Sequence, residues 1–330
     1  QSLTSVLGAH SQLSSLVTLV NTQAPLVSTL NNAKNVTLLA PSNDAVMKFL
    51  NSSAGTQAVA TPGALTALLQ YHVVNGAFKS NAITLTPVFP STLLTNSSFT
   101  NVTGGQVVEF AAGQGGGVTI FSGLRTPSFI TTADLTFDGG VIHIIDTVLM
   151  IPPTVSVMAS TNLTIVNSFT NPTAFASAIT SAGLWPTIDT TPNITIFAPT
   201  NDALSASSVK NLTSSQLESV LKYHVVPAVE YSSRLSTMNL PTLEGDDVNI
   251  TVSGTLNSVM VNQANVVVAN VIIANGVLHI IDRYRSFLPA KSNSSSNSSG
   301  AKTSASTVNA SLNMKSSSFA ALAFWASLTL

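Results

Sequence analysis

The sequence predicts an α+β fold made of two similar domains in tandem. The chain has 330 residues, and at roughly 100 to 200 residues per domain this length favours two domains. The stretch NVTLLAPSNDAV at residues 35–46 recurs as NITIFAPTNDAL at residues 193–204. In each half, helix-like patterns come before strand-like segments, an order typical of α+β domains. We therefore expect a first domain at residues 1–152 and a second domain at residues 154–289.

Composition excludes several classes of function. Hydrophobic residues make up 45% of the chain and charged residues only 8%, with 12 lysines and arginines against 13 aspartates and glutamates. Because there is no basic run to neutralise phosphates, the chain is not expected to bind nucleic acid. The chain has no cysteine, so disulfides and thiolate metal sites are excluded. The solvated surface must be built mainly from neutral Ser, Thr and Asn side chains.

The first repeated segment predicts a buried strand followed by a helix. Residues 36–39 and 194–197 are continuous runs of apolar or β-branched residues, as in strands. A proline follows each run, and Ser42 or Thr200 then precedes an Asn-Asp pair. A hydroxyl at this position accepts a hydrogen bond from the first turn of a helix. We expect a short helix to begin at each of these two caps.

The second repeated segment predicts an amphipathic helix that leads directly into a strand. In PGALTALLQYHVV and SSQLESVLKYHVV, apolar residues recur at i, i+3 and i+4, which places them on one helix face. This face consists of Leu65, Leu68, Leu69, Leu217, Val220 and Leu221. Thr61 with Pro62 is expected to start the first helix. Ser215 with Glu218 is expected to form a capping box at the second. The β-branched ends of both segments predict strands.

The third repeated segment predicts a core strand that closes each half. GGVIHIIDTVLMIP (residues 139–152) and NGVLHIIDRYRSFLP (residues 275–289) are apolar on both faces at a period of two residues. This pattern is expected of a strand that is buried from two sides. Shorter β-type runs such as QVVEF, VTIF and NITVSG precede these segments. The glycine cluster GQGGG between QVVEF and VTIF predicts a hairpin loop.

These three motifs, present twice in the same order, resemble the fasciclin-like domain family. LLAPSNDAV, YHVV and GVIHIID in the first half match IFAPTNDAL, YHVV and GVLHIID in the second. The resemblance covers nearly all of residues 1–289. It implies two wedge-shaped β-sandwich domains flanked by α-helices, in a secreted or membrane-anchored adhesion protein. Fungal and plant members of the family often carry a glycosylphosphatidylinositol (GPI) anchor.

The resemblance also indicates a candidate adhesion surface. In animal relatives the Tyr-His region is implicated in integrin adhesion, and it corresponds here to Tyr71, His72, Tyr223 and His224. We favour the competing structural interpretation, in which a packed ring lies beside a hydrogen-bonded imidazole. The Asp-Ile motif of the animal proteins is matched only weakly, by Asp134 followed by a leucine. Integrin binding is therefore not carried over to this chain.

Two further histidines, His143 and His279, lie in the closing strands. His72, His143 and Asp146 would supply the two imidazoles and one carboxylate that hold non-haem iron. However, His143 and Asp146 are three residues apart in a strand and point to opposite faces. We expect no metal and no cofactor. His143 and His279 are interpreted as core histidines that bond to buried polar groups of the Asn-Asp segments.

Sequence motifs for catalysis are absent. The chain contains no Gly-x-Ser-x-Gly, no Walker-type Gly-Lys-Thr and no His-Glu-x-x-His. No pair of carboxylates stands out among the 13 acidic residues as a candidate for glycoside hydrolysis. We therefore predict that the protein is not an enzyme.

Asn-x-Ser/Thr sequons predict N-glycosylation at many positions. The candidate acceptors are Asn35, Asn51, Asn96, Asn101, Asn162, Asn193, Asn211, Asn249, Asn293 and Asn297. Asn35 and Asn193 occupy the same place in the two repeats, just before a strand, where a glycan would project outward. In a chain with so few charges, glycans would supply solubility.

The two ends of the chain predict export and membrane anchoring. The chain begins without an initiator methionine, which indicates that a secretory signal has been removed. Residues 290–318 are rich in Ser, Thr and Asn and are expected to form a disordered stalk. Residues 319–330 are apolar but too short to span a bilayer, which favours a GPI signal tail. Asn309 is the expected attachment residue, with Ser304 and Ser306 as alternatives.

The sequence as a whole predicts an extracellular, GPI-anchored surface glycoprotein that mediates cell adhesion or contact with the cell wall or matrix. Its expected partners are cell-surface or matrix proteins or glycans, other copies of itself, and the membrane through its lipid anchor. Weak binding by two modules on a stalk would be strengthened by avidity. One alternative stays open, a carrier of a lipid or other apolar ligand in a groove between helices and sheet.

Overall fold

Two mixed β-sheets, one in each half of the chain, organise the computed structural model of the protein. The structure describes residues 1–113, 115–160, 172–205, 212–253 and 258–284. All of these residues belong to one compact unit, Gln1–Pro289. The predicted stalk and the predicted GPI tail lie outside the described residues.

Helices lie mainly at the start of each half. Those of the first half are α1 (Leu3–Gly8), α2 (Ser14–Asn21), α3 (Ala24–Asn32), α4 (Asn43–Leu50), α5 (Ser53–Ala60) and α6 (Ala64–Tyr71). Those of the second half are α7 (Val155–Ser160), α8 (Thr173–Ser181), α9 (Trp185–Thr190), α10 (Asn201–Ser205) and α11 (Ser214–Tyr223). Within the described ranges, no helix combines the length and the apolar character needed to cross a bilayer.

Among the described residues, the strands form a six-stranded sheet in the first half and a seven-stranded sheet in the second. The first contains β1 (Val36–Pro41), β2 (Val73–Asn75), β3 (Glu109–Ala112), β4 (Val118–Phe121), β5 (Pro127–Phe137) and β6 (Gly140–Ile145). The second contains β7 (Ile194–Pro199), β8 (Val225–Val226), β9 (Met238–Pro241), β10 (Asp247–Ser253), β11 (Ser258–Val261), β12 (Ala264–Ile273) and β13 (Gly276–Ile281). Their spatial orders are β2-β1-β6-β5-β4-β3 and β8-β7-β13-β12-β11-β10-β9. Apart from the outer strand β9, the two orders are the same.

In both halves the first long strand pairs in parallel with the last strand. β1 pairs with β6, and β7 with β13, over their full lengths. Every residue of β1 and β7 is buried, as predicted for strands covered on both faces. The pairing starts at Gly140 and Gly276, whose φ angles are 154° and 156°. A Cβ atom there would lie 1.9 Å from the carbonyl oxygen of Val36 or 1.8 Å from that of Ile194, so the backbones can approach only because these residues are glycines.

In the part of the chain that the structure describes, each half has a hydrophobic core on each side of its central strands. In the first half, Leu38 and Ile142 face the core that β1 and β6 share with α1, α2 and α3. Leu39 faces the opposite core, which also contains Val74 of β2 and Phe110 of β3. Because β2 and β3 are the outermost strands, the sheet must curve until its two edges enclose this second core. The second half repeats the arrangement, with Phe197, Val226, Leu240 and Ile281 in one cluster.

The observed helix starts confirm two of the four predicted caps. The hydroxyl of Ser42 accepts a hydrogen bond from Ala45 N at 3.3 Å, and that of Thr200 accepts one from Ala203 N at 3.2 Å. The cap predicted at Thr61 is wrong, because α6 begins after a glycine with a left-handed backbone.

The capping box predicted at Ser215 and Glu218 is also wrong. The box of α11 is formed two residues earlier by Thr213 and Gln216, each accepting a hydrogen bond from the other's backbone. Glu218 instead forms an ion pair with Lys222 at 2.7 Å. The two alternatives have the same hydroxyl-to-acceptor spacing, so local sequence did not distinguish them.

The two halves make direct contact through both ring stacking and hydrogen bonds. The rings of Phe89 and Tyr231 stack with centroids 4.1 Å apart. The fully buried Gln106 donates to Ile273 O at 3.1 Å. Leu124 of the first half packs within a hydrophobic cluster otherwise built from the second. The α+β prediction of two sheet-dominated domains flanked by helices is confirmed.

We expect Gly140→Ala to lower the free energy of unfolding by at least about 2 kcal/mol, because the added methyl would overlap the Val36 carbonyl at a positive φ angle. Urea unfolding followed by circular dichroism measures the change. Gly8→Ala is the matched control, because no atom lies within 4 Å of a Cβ at Gly8. A Gly140→Ala protein as stable as the Gly8→Ala protein would contradict this account of the strand pairing.

Candidate functional site

Tyr71 and His72 lie at the end of α6 and are buried. Tyr71 is 0% and His72 2% exposed. The Tyr71 hydroxyl donates to Val107 O at 2.8 Å. His72 Nδ1 donates to Leu68 O at 2.8 Å, and its Nε2 accepts from Leu149 N at 3.0 Å. The pair therefore ties the helix to the segment before β3 and to the segment after β6.

Tyr223 and His224 repeat this arrangement at the end of α11. Both are buried. The Tyr223 hydroxyl donates to Asp247 O at 2.7 Å, and His224 Nδ1 donates to Val220 O at 2.8 Å. None of the four Tyr-His side chains is exposed, so they do not present the candidate adhesion surface that the resemblance indicated. The structural interpretation of these residues is the one that the geometry supports.

His143 and His279 occupy equivalent positions in the closing strands and are fully buried. His143 Nε2 donates to Phe78 O at 2.7 Å, and His279 Nε2 donates to Glu230 O at 2.9 Å. The burial predicted for both histidines is confirmed. The predicted bonding to the Asn-Asp segments is wrong, because both ring nitrogens of each histidine bond to backbone groups of other segments. Asn43 instead accepts from Ser15 N at 2.9 Å.

Asp134 and Asn270 complete these two histidine networks. Both have left-handed backbones, with φ of 60° and 62°. Their backbone N–H groups donate to Nδ1 of His143 and His279. The Asp134 carboxylate accepts two hydrogen bonds from Ser80, so this half-buried residue holds a loop and does not extend freely into solvent.

Burial keeps His72, His224 and His279 neutral near neutral pH. It lowers the pKa of His72, His224 and His279 from 6.5 to about 4. A neutral imidazole has one donor and one acceptor nitrogen, which matches the hydrogen bonds that His72 and His279 make. These rings are thus suited to holding backbone groups and not to exchanging protons near neutral pH.

The residues considered for a metal site do not converge. His143 bonds to Phe78, whereas Asp146 accepts from Phe129 N at 2.9 Å. Nowhere in the described part of the chain do three His, Cys, Asp or Glu side chains lie close enough to hold a metal ion. The arrangement of His72, His143 and Asp146 therefore supplies no metal centre.

A buried ion pair at the contact between the halves was not predicted. Arg125 and Glu109 lie 3.4 Å apart, with side chains 17% and 2% exposed. Arg125 also donates to Ala269 O of the second half. Burial raises the pKa of Glu109 to about 7, although Arg125 and Asn270 act to lower it. The sequence feature that could have indicated this buried carboxylate is the glutamate inside the apolar run QVVEF, in a chain with only 8% charged residues.

Most sequons in the described ranges lie on the surface. The exposed acceptors are Asn35, Asn51, Asn96, Asn101 and Asn249. Asn193 is half-buried and its amide bonds to Thr103 of the first half, so the predicted outward position holds for Asn35 but not for Asn193. The remaining candidate residues lie outside the described residues, namely Asn162, Asn211, Asn293, Asn297 and Asn309.

Comparison with known proteins gives a consistent family assignment. The sequence matches the family described as "Fasciclin domain" at residues 11–152 and 170–284. It is 32% identical to a fasciclin-like arabinogalactan protein of Arthroderma benhamiae over 279 residues, which is 82% of this chain and 63% of that protein. It is 31% identical to the fasciclin-like arabinogalactan protein elcF of Phaeosphaeria nodorum over 286 residues, 86% of this chain and 87% of that protein. This chain thus spans less than two thirds of the first relative and most of the second.

Among solved structures, the chain aligns with a FAS1 domain pair from the insect cell adhesion molecule fasciclin I. The TM-score is 0.38 at 18% sequence identity. The alignment covers 83% of this chain and 96% of that chain.

Glu109→Gln is expected to become progressively more stable than the parent protein as the pH rises from 4.5 to about 7. In that range the unfolded parent has released the proton while the folded parent retains it, so the parent loses stability with rising pH and the variant does not. The difference in free energy of unfolding should change by roughly 3 kcal/mol. Urea unfolding of both proteins across this pH range measures it.

Glu218→Gln provides the control for this measurement, because it neutralises an exposed carboxylate on α11. It should alter the free energy of unfolding by less than about 1 kcal/mol at any pH. A flat difference curve for Glu109→Gln would show that Glu109 is not held protonated at the contact between the halves.

Proposed function

The chain belongs to the fasciclin domain family, and we propose that it is an extracellular surface glycoprotein that mediates cell adhesion or contact with the cell wall. Its partners are cell-surface or matrix proteins or glycans, including other copies of the same chain. Relatedness to fungal fasciclin-like arabinogalactan proteins along 82% and 86% of this chain supports an extracellular, surface-associated role. We further propose that the protein is not catalytic.

The observation that carries this proposal is how the polar groups of the repeats are used. His72, His143 and His279 bond internally to backbone groups, and Tyr71 and Tyr223 donate to backbone carbonyls. The side chains that the sequence motifs had suggested as binding or catalytic groups thus form hydrogen bonds within the fold. Binding partners would therefore contact the outer surface of the domains.

That surface is neutral and suited to carrying sugars. The formal net charge of the chain is −1, and exposed sequon asparagines occur in both halves, such as Asn35 and Asn249. Such a surface favours weak polar contacts over strong ionic ones. Many copies on one cell would compensate, because multivalent attachment raises avidity by roughly 10² to 10⁴ without a tight single site.

Beads coated with the glycosylated chain should cluster or attach to cell walls at least about tenfold more than beads coated with the heat-denatured chain. The number of attached beads should fall more than linearly as the coating density is lowered, because each bead is held by several weak contacts at once. Microscopic counting of bound beads measures both effects. Equal attachment of native and denatured coatings would refute adhesion through the folded domains.

We also propose a lipid anchor at Asn309, which would keep the protein at the cell surface. The spacing of small residues, polar spacer and apolar tail in residues 309–330 supports it. Phosphatidylinositol-specific phospholipase C should release the protein from intact cells, and Asn309→Gln should reduce its surface display. Asn297→Gln is the matched control, because it removes a sequon but not the proposed attachment residue. Surface display that survives Asn309→Gln unchanged would eliminate this residue.

A further inference from the structure

An apolar cavity of about 600 Å³ opens beside the helices of the first half. One wall is formed by α4, α5 and α6, and the other by residues 146–151, which follow β6. Gly55 lets α5 approach α4 closely, because a Cβ atom at this position would lie 1.9 Å from Phe49 O. The volume lies within the roughly 300 to 1,000 Å³ of small-molecule sites. It adjoins the His72 network, because Leu68 and Leu149, whose backbone groups bond to His72, also line it.

The lining is largely apolar, and several of its polar groups bond elsewhere. Phe49, Ala58, Leu68, Phe99 and Val148 are among the residues that contribute carbon surface. On the opposite wall, the N–H groups of Leu149 and Met150 donate to His72 Nε2 and Ser122 Oγ, both at 3.0 Å. These two backbone N–H groups are therefore not free to bind a ligand in the cavity.

Two further polar side chains around the cavity are occupied in the same way. The Ser52 hydroxyl donates to Phe49 O and accepts from Gly55 N. Thr147 donates to the Asp146 carboxylate. Gln57, Thr61 and Thr126 also line the cavity, but most of its surface is apolar, whereas a sugar requires several convergent donors and acceptors. Hydrocarbon is the chemistry that fits it.

Lys48 adds a single positive charge at the rim. It lines the cavity and its side chain is exposed. Within the described ranges, no carboxylate lies within 4.0 Å of its ammonium group. The one carboxylate in the lining, Asp146, already accepts from Phe129 N and Thr147 Oγ1. The charge at the rim thus matches an anionic head group.

We propose that this cavity binds a long-chain fatty acid, with the hydrocarbon chain between α5 and residues 146–151 and the carboxylate at Lys48. A neutral lipid alcohol would use the apolar walls but not the ammonium group. The site lies wholly within the first half, and its occupation neither requires nor excludes the adhesion proposed above.

The second half offers a natural blocking residue for this site. Counting from the shared HIID sequence of the closing strands, Val148 of the first half corresponds to Tyr284 of the second. The Tyr284 ring stacks on His224 with centroids 5.8 Å apart and packs against the core. A tyrosine in place of Val148 should therefore occupy space that the first half leaves open.

Isothermal titration of the delipidated full chain with palmitate tests the proposal, with hexadecanol as the uncharged probe. Ala58→Trp and Val148→Tyr, which block the cavity from opposite walls, should each weaken palmitate binding at least roughly tenfold. Val59→Trp is the matched control on α5, because Val59 is 61% exposed, and it should bind like the parent. Lys48→Met should weaken palmitate by up to about fivefold and leave hexadecanol unchanged.

Thermal melting of each variant separates blocking from unfolding. No palmitate binding by the parent, or parental binding by both folded blocking variants, would overturn the site. An equal loss of palmitate affinity in Val59→Trp would show that palmitate binds to the surface nonspecifically and not in the cavity. Equal weakening of palmitate and hexadecanol by Lys48→Met would overturn the assignment of the carboxylate. Bead adhesion by the Ala58→Trp protein reports separately on the adhesion proposal.

Discussion

Parallel pairing of the first long strand with the last strand closes each half of this protein. The paired residues are about a hundred positions apart in the first half, from Val36 to Gly140, so their contact depends on closing a long loop. Burial of β1 and β7 on both faces supplies the compensating hydrophobic free energy. The pairing also demands glycine at its first position, because a side chain there would overlap the neighbouring backbone. Both repeats meet this demand at the same place.

Strands that are buried on both faces leave no water for polar groups nearby. Unpaired donors and acceptors there cost free energy comparable to a lost hydrogen bond or more. The repeats solve this with the same devices: Thr37 and Thr195 each bond to the backbone after the YHVV strand. His143 and His279 bond to that same region from the closing strand. Residues that resemble catalytic or metal-binding groups are therefore structural here, because the core requires them.

The halves differ where the closing strand gives way to the surface. The first half has Val148 and an open apolar cavity beside it, whereas the second has Tyr284 packed onto His224. Their mutual contact also uses unlike parts, since Arg125 of the first half bonds to Ala269 of the second. The two repeats thus share the central strands of each domain but differ in the segments after the closing strand and at the contact between the halves. A surface role for the family and a separate small-molecule site are compatible within this plan.

Local sequence determined the α+β class, the order of the repeated elements, the apolar face of α6 and α11, and the caps at Ser42 and Thr200. These features depend on residues within a few positions of one another, so periodicity and hydroxyl placement suffice to find them. Only the tertiary structure decided that the Tyr-His pairs are buried, which backbone groups the histidines hold, and that Glu109 and Arg125 meet at the contact between the halves. Those partners come from distant segments, and spacing along the chain carries no record of which distant groups the closed sheets bring together.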